Sequence, residues 1–130
     1  MGIAMGRLLA CIAALTPTAE PAAGLAAAGD NGRRLFEQRC AVCHGSDMRG
    51  TGPLARKSNP PANDLTAPAF RRRLAANPGV IVSSIVLRSN GDLIPRTLRE
   101  NNVHIPPHRW TLDDLRDVDA YIKGYPRRVK

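Results

Sequence analysis

Cys40-Ala41-Val42-Cys43-His44 constrains this chain more than any other stretch. Two cysteines separated by two residues and followed at once by a histidine form the attachment signature of c-type haem. On helical backbone, residues three and four apart share a face, so Cys40, Cys43 and His44 can address one side of a flat macrocycle. The thiols there can bond to its two vinyl groups, and the imidazole beside the second thiol can reach iron. Two other uses of the pair compete. A redox disulfide expects a βαβ setting, and nothing strand-like surrounds this copy. A zinc-binding structural domain would draw its second pair from His104 and His108, which have a finger-like spacing. They lie far from the cysteines, however, and Pro106-Pro107 between them prevents the helix that usually presents such a pair.

The chain has 130 residues, one domain at most. Met1 to Arg7 is short and basic, Leu8 to Leu15 is apolar, and small residues follow, the layout of a secretory signal peptide. Ala26-Ala27-Ala28 offers an A-x-A cleavage site, so residues 1–28 read as a cleavable leader and 29–130 as the mature domain, with cleavage near Ala23 or Gly24 as the alternative. The apolar run is too short to span a membrane. Leu8-Leu9-Ala10-Cys11 resembles a lipoprotein box. Most of the apolar stretch follows Cys11 instead of preceding it, which favours removal over lipidation. A periplasmic or otherwise exported protein results.

The remaining hundred or so residues could bury only a modest core, and an aromatic content of 4% makes that core poorer. A covalent haem would supply the missing apolar body. It would also consume both mature-chain cysteines, which an oxidising compartment would otherwise pair. The net charge of +8 sits almost wholly in the mature part, because the leader contributes only Arg7 and Glu20. That surface suits an acidic protein partner or an anionic membrane surface. Nucleic acid is disfavoured, since no stacking set of aromatics lies among the basic residues.

Asp30 or Asn31 can cap a first helix, along which Gly32, Phe36 and Cys40 form one stripe while Arg33, Arg34, Glu37 and Arg39 take the wet side. Thr111 with Asp114 makes an acidic capping box for a last helix. Leu112, Leu115, Val118 and Ile122 are its apolar stripe, Asp113, Asp114, Asp117 and Asp119 its wet side, and Lys123-Gly124 its end. Between them, Gly45 to Asn63 is a Gly/Pro/Asn-rich loop. A short helix runs from Asp64 or Thr66 through Pro68 to Ala75, with Arg71, Arg72 and Arg73 exposed. Val80 to Leu87 is β-branched enough to read as helix or strand.

Taken together, Gly32-Arg33-Arg34-Leu35-Phe36, Cys40 to Gly45, Gly52-Pro53-Leu54 and Thr111 to Ile122 resemble the small monohaem class I cytochromes c. The resemblance implies an all-α small cytochrome c fold, with crossed N- and C-terminal helices around one covalent haem c. It places Gly32 under Tyr121 and tips Val80 to Leu87 toward helix. It also implies that His44 is the proximal iron ligand and that the Pro53 carbonyl accepts from the far nitrogen of His44.

One departure from the family is informative. Its sixth ligand is commonly a methionine followed by proline just before the last helix, and Ile105-Pro106-Pro107 stands there instead; Ile94-Pro95 lacks methionine too. Met48 is the one methionine of the mature chain and follows His44 too closely to reach the opposite haem face. His104 or His108 would complete a bis-histidine, low-potential centre, with Asn101 and Asn102 as weaker candidates. Otherwise Ile105 fills the pocket and the iron stays open to a small ligand.

The expected function is therefore electron transfer to or from an acidic redox protein, such as a dehydrogenase or oxidase, by a monomer or by a subunit of a larger complex. The alternative is a haem protein that binds or converts a small ligand at an open sixth position. No general acid or nucleophile constellation appears elsewhere, so any enzymatic role would rest on iron. Arg56 and Trp110 are the candidates for contacting the haem carboxylates, since an arginine or an indole N–H suits such an acceptor.

Overall fold

The computed structural model describes residues 22–89, 100–103 and 108–126, and these are helical with no strand. The helices are α1 (Ala22–Arg39), the single turn α2 (Ala41–His44), α3 (Pro68–Ala76), α4 (Val80–Ser89) and α5 (Leu112–Gly124), with a 3-10 turn over Ala55–Lys57. The all-α expectation holds, and the ambiguous Val80 stretch is helix.

Asp30 and Asn31 do not cap α1, because the helix is already running at Ala22. The stretch before them is mostly alanine, whose helix propensity overrides a local cap signal. Asn31 serves instead between helices. Its Nδ2 donates to Asp117 Oδ2 at 2.7 Å and to Asp114 Oδ1 at 3.4 Å. One turn along, Gly32 lies against α5, where an added Cβ would strike the Asp117 carbonyl and come within 2.9 Å of Tyr121 Cβ. Absence of a side chain lets the two backbones cross this closely. Leu35 and Phe36 beside it are 1% and 0% exposed. Each such burial is worth about 1.5–3 kcal/mol relative to exposure.

α5 begins with the expected capping box: Asp114 N–H donates to Thr111 Oγ1 at 3.0 Å, and Thr111 N–H to Asp114 Oδ2 at 3.2 Å. Val118 and Ile122 face the core. Leu112, expected on the same stripe, is 79% exposed, because it occupies the first turn before α5 meets α1. Asp114, Asp117 and Asp119 are half-buried, not fully solvated, and only Asp113 of the four is exposed. Tyr121 reaches across to Phe36, with ring centroids 5.8 Å apart, and burial raises its hydroxyl pKa above the usual phenol value.

α3 starts at Pro68, a residue preorganised for a first helical position. Asp64 and Thr66 form the turn ahead of it, the Thr66 N–H and hydroxyl both donating to Asp64 Oδ1. Arg71, expected in water, is buried. Its guanidinium donates to the carbonyls of Ile122, Lys123 and Tyr125 at 3.0, 3.1 and 3.1 Å. Those carbonyls lie at the end of α5, where the helix leaves acceptors unmatched and its dipole attracts a cation. Arg72 and Arg73 are exposed as expected. Leu74 of α3, Val80 and Ile81 of α4, and Met48 and Leu65 of the connecting loops complete the core.

Candidate haem site

The cysteine motif continues α1. Cys40 N–H donates to the Phe36 carbonyl at 2.8 Å, and His44 N–H to the Cys40 carbonyl at 2.9 Å, so α2 is one helical turn hung on the end of α1. Cys40, Cys43 and His44 are all half-buried, and the cysteines are thiols, not a disulfide.

The loop after His44 folds back onto this turn through its main chain. Gly50 N–H donates to the His44 carbonyl at 2.8 Å, Gly52 N–H to Cys43 at 3.1 Å and Leu54 N–H to Val42 at 2.9 Å. Gly52 lies so close that an added Cβ would collide with the carbonyls of Ala41 and Val42. Met48 adopts a left-handed conformation, φ +59°, at a cost of about 1 kcal/mol for a non-glycine residue. Its fully buried side chain and the bond from Leu65 N–H to its carbonyl, 2.8 Å, hold it there.

That return brings the chain past the imidazole. His44 Nδ1 lies 3.0 Å from the Asn63 carbonyl oxygen. A carbonyl can only accept, so Nδ1 carries the proton and donates, and the Nε2 lone pair is left for a metal. The resemblance implied Pro53 in this role, and the structure puts Asn63 there. The reason lies in the loop: Leu54 N–H is engaged with Val42, and the bond from Ala62 N–H to the Ala55 carbonyl, 3.1 Å, turns the chain so that its later arm meets the ring. Pro53 itself is exposed.

On the other side of Cys40, Arg39 is half-buried instead of wet. Its guanidinium carbon stands 4.5 Å from the centroid of Trp110, and its Nη1 donates to the Arg109 carbonyl at 3.0 Å. Trp110 is half-buried and packs on the core, while its Nε1 is buried without a hydrogen-bond partner. Arg56 is exposed on the 3-10 turn that packs against α2, and Asn101 Nδ2 donates to the Lys57 carbonyl of the same turn at 3.3 Å. His108 is half-buried. His104, Ile105 and Ile94-Pro95 lie outside the described residues.

Two carboxylates near the site are held below the usual range. For Asp114 the main cause is the bond from Thr111 N–H, followed by further bonds and the charge of Arg39, against an opposing desolvation. For Asp47 it is the Thr51 hydroxyl, then the Arg49 N–H.

The family model described as Cytochrome c matches residues 29–125. The chain belongs to the cytochrome c family. No curated protein and no solved structure matches it. Cytochrome c membership means a covalently bound haem c and an electron-transfer role with a redox partner. The donor set fits that group: two thiols on one turn and, directly after the second, an imidazole whose Nδ1 is held by the Asn63 carbonyl. Among the described residues there is no cluster of His, Cys, Asp and Glu able to hold a separate metal ion, and no helix is long and apolar enough to cross a membrane.

Signals for Asn63, Arg39 and Arg71 were missing from the sequence reading. Asn63 acts through its main chain, so its side chain carries no hint. Arg39 and Arg71 find partners 70 or more and 51 or more positions away, where only a contact between whole helices reveals them.

Proposed function

We propose that this cytochrome c is an exported monohaem electron carrier, attached to its haem through Cys40 and Cys43 and ligated by His44. The observation that carries this reading is the hydrogen bond from His44 Nδ1 to the Asn63 carbonyl, because it fixes the tautomer in which Nε2 can bind iron. The haem supplies the reversible one-electron couple. Cys40, Cys43 and His44 would hold the ring beside a core that contains Leu35, Phe36 and Val118, from which bulk water is excluded.

The sixth position is best filled by His104 or His108, giving a bis-histidine centre of lower potential than a methionine-ligated one. Ile105 in the place of the usual methionine supports this, as does the burial of Met48 within the core. The same substitution favours one other reading, an iron left open to a small ligand.

Docking falls to the basic surface beside α2. On α1 and α5 three cations pair with carboxylates, Arg33 with Glu37, Arg116 with Asp113 and Lys123 with Asp119. Arg56 and Lys57 have no such carboxylate among the described residues. An acidic redox protein complements them, and transfer to it should slow as salt screens the attraction.

The test is the optical spectrum of the purified holoprotein, oxidised and then dithionite-reduced, for wild type, His104→Ala and His108→Ala. A Soret band that stays with the polypeptide through acid–acetone extraction establishes covalent haem. A low-spin wild type turned high-spin by one substitution names the sixth ligand. A wild type already high-spin, binding carbon monoxide readily and indifferent to both substitutions, replaces the carrier with the open-site reading.

A further inference from the structure

We propose that the exposed arginines of α3, with the cations that follow α5, form a basic pole that docks on an anionic lipid surface. The proposal does not rest on the haem reading. It begins with Arg71, the first of three consecutive arginines. Arg71 is buried, and its guanidinium is committed to the carbonyls of Ile122, Lys123 and Tyr125. Those bonds pin α3 against the end of α5. Tyr125 is also held through its ring, which meets Tyr121 edge-on with centroids 6.2 Å apart. The chain therefore leaves α5 from a fixed point beside α3, and the residues that follow include Arg127, Arg128 and Lys130.

On α3 itself Arg72 and Arg73 are exposed, and neither has a carboxylate partner among the described residues. α3 contains no acidic residue. Of the carboxylates in adjoining segments, Asp64 accepts from Thr66 and Asp119 pairs with Lys123. Five cations thus lie on α3 or within five residues of Tyr125. α5 starts just after Trp110, which Arg39 covers, and runs for about 20 Å. The pole and the Arg39 contact beside the cysteine turn are therefore at opposite ends of one helix.

The chemistry of the pole selects its partner. A fitted protein interface centres on apolar or aromatic anchors ringed by polar groups. Among the described residues the exposed large hydrophobics are Val42, Val86, Leu87 and Leu112, none of them on α3 or at the end of α5. Phe70 of α3 packs against the core. What the pole offers is clustered charge, mostly arginine, whose planar fork suits phosphate oxygens. An anionic phospholipid surface needs no fitted core and attracts such a cluster through the field of its headgroups.

The test is co-sedimentation of the purified holoprotein with vesicles of pure phosphatidylcholine and of its equimolar mixture with phosphatidylglycerol. Wild type should sediment with the mixed vesicles only, and added salt should release it. Each cation near a charged bilayer changes the partition about fivefold, so Arg72→Gln/Arg73→Gln should weaken binding by about tenfold or more. Arg127→Gln/Arg128→Gln/Lys130→Gln should weaken it at least as much. Because Arg72 and Arg73 are exposed, their double variant should melt with wild type. Arg56→Gln/Lys57→Gln removes the same charge from the 3-10 turn and should leave binding as it is in wild type. Equal losses from the two double variants would mean that binding follows net charge alone, and would overturn the proposal. Capture by immobilised polyglutamate, with no binding to the mixed vesicles, would assign the pole to an acidic protein and overturn it as well.

Discussion

Two segments flank the cysteine turn, and they are held by different means. The loop from Gly45 to Asn63 is tied by main-chain bonds to Val42, Cys43 and His44, and it orients the imidazole through another main-chain group, the Asn63 carbonyl. Arg109–Trp110, on the approach to α5, is tied by the side chain of Arg39. Backbone ties depend on conformation and on close approach, and they tolerate changes of side chain wherever no new atom intrudes. A tie made by one guanidinium depends on that residue. The first segment is therefore vulnerable at its glycines and the second at its arginine.

The largest effect expected from this contrast is that of Gly52→Ala. The added methyl would overlap the Ala41 and Val42 carbonyls and lie 2.6 Å from the Val42 carbonyl carbon, which cannot move without displacing the cysteines. A cost of about 3 kcal/mol, typical of forced overpacking, should appear as a lower melting temperature and a smaller yield of holoprotein. A melt within 1 °C of wild type would mean that the loop is not pressed onto α2. Next comes Arg71→Met, at the contact between α3 and α5. Deleting the guanidinium takes a donor from three carbonyls at the end of α5, of which Ile122 alone keeps another, the Tyr125 N–H. Partial access to water softens the loss, so urea unfolding should show about 2 kcal/mol. Arg71→Lys should recover only part of it, because an ammonium cannot span three carbonyls as the fork does.

These contrasts also explain what could be read from the chain and what could not. The Thr111–Asp114 capping box was legible because it is a local pattern with one physical outcome. The cysteine turn was legible for the same reason, whereas the crossing of Gly32 with Tyr121 followed from the family resemblance. Asp30 and Asn31 misled, since a cap signal competes poorly with an alanine-rich run that already favours helix. Leu112 misled because helical periodicity marks a face without saying where the neighbouring helix ends. Arg71 was misread because a run of three arginines looks like a solvated face, and only the end of α5, far away in sequence, gives the first of them a buried partner. The Pro53 carbonyl was an inference from family likeness, and the path of this particular loop put Asn63 in its place.

A smaller effect concerns the junction just beyond Trp110, where α5 begins. Asp114 has its folded pKa lowered below the usual carboxylate value, chiefly by the Thr111 N–H. A carboxylate with a depressed folded pKa contributes stability that is fully present above its unfolded value. That contribution is lost as pH falls through the folded value. Melting temperature measured from pH 6 down to pH 2 should therefore separate wild type from Asp114→Asn at the upper end, and the two curves should draw together at the lower. Curves that stay parallel throughout would place the acid sensitivity elsewhere, and Asp47, lowered by Thr51 and Arg49, would be the next carboxylate to replace.

The smallest expected effect is the sharpest test of the contrast. Asn63 is exposed, and it meets His44 only through its carbonyl. Asn63→Ala keeps that carbonyl and adds no atom to the loop, so stability should change by less than about 0.5 kcal/mol, the range of ordinary surface substitutions. The ferric and ferrous spectra and the reduction potential should be those of wild type, because the proton on Nδ1 still has its acceptor and Nε2 keeps its basicity. A potential that moves measurably would show that the Asn63 side chain takes part in holding the ring. In that event the loop, like the Arg109–Trp110 approach, would depend on the identity of a single residue. If Asn63→Ala is silent while Arg39→Met is not, the two sides of the cysteine turn are held in the two different ways their hydrogen bonds describe.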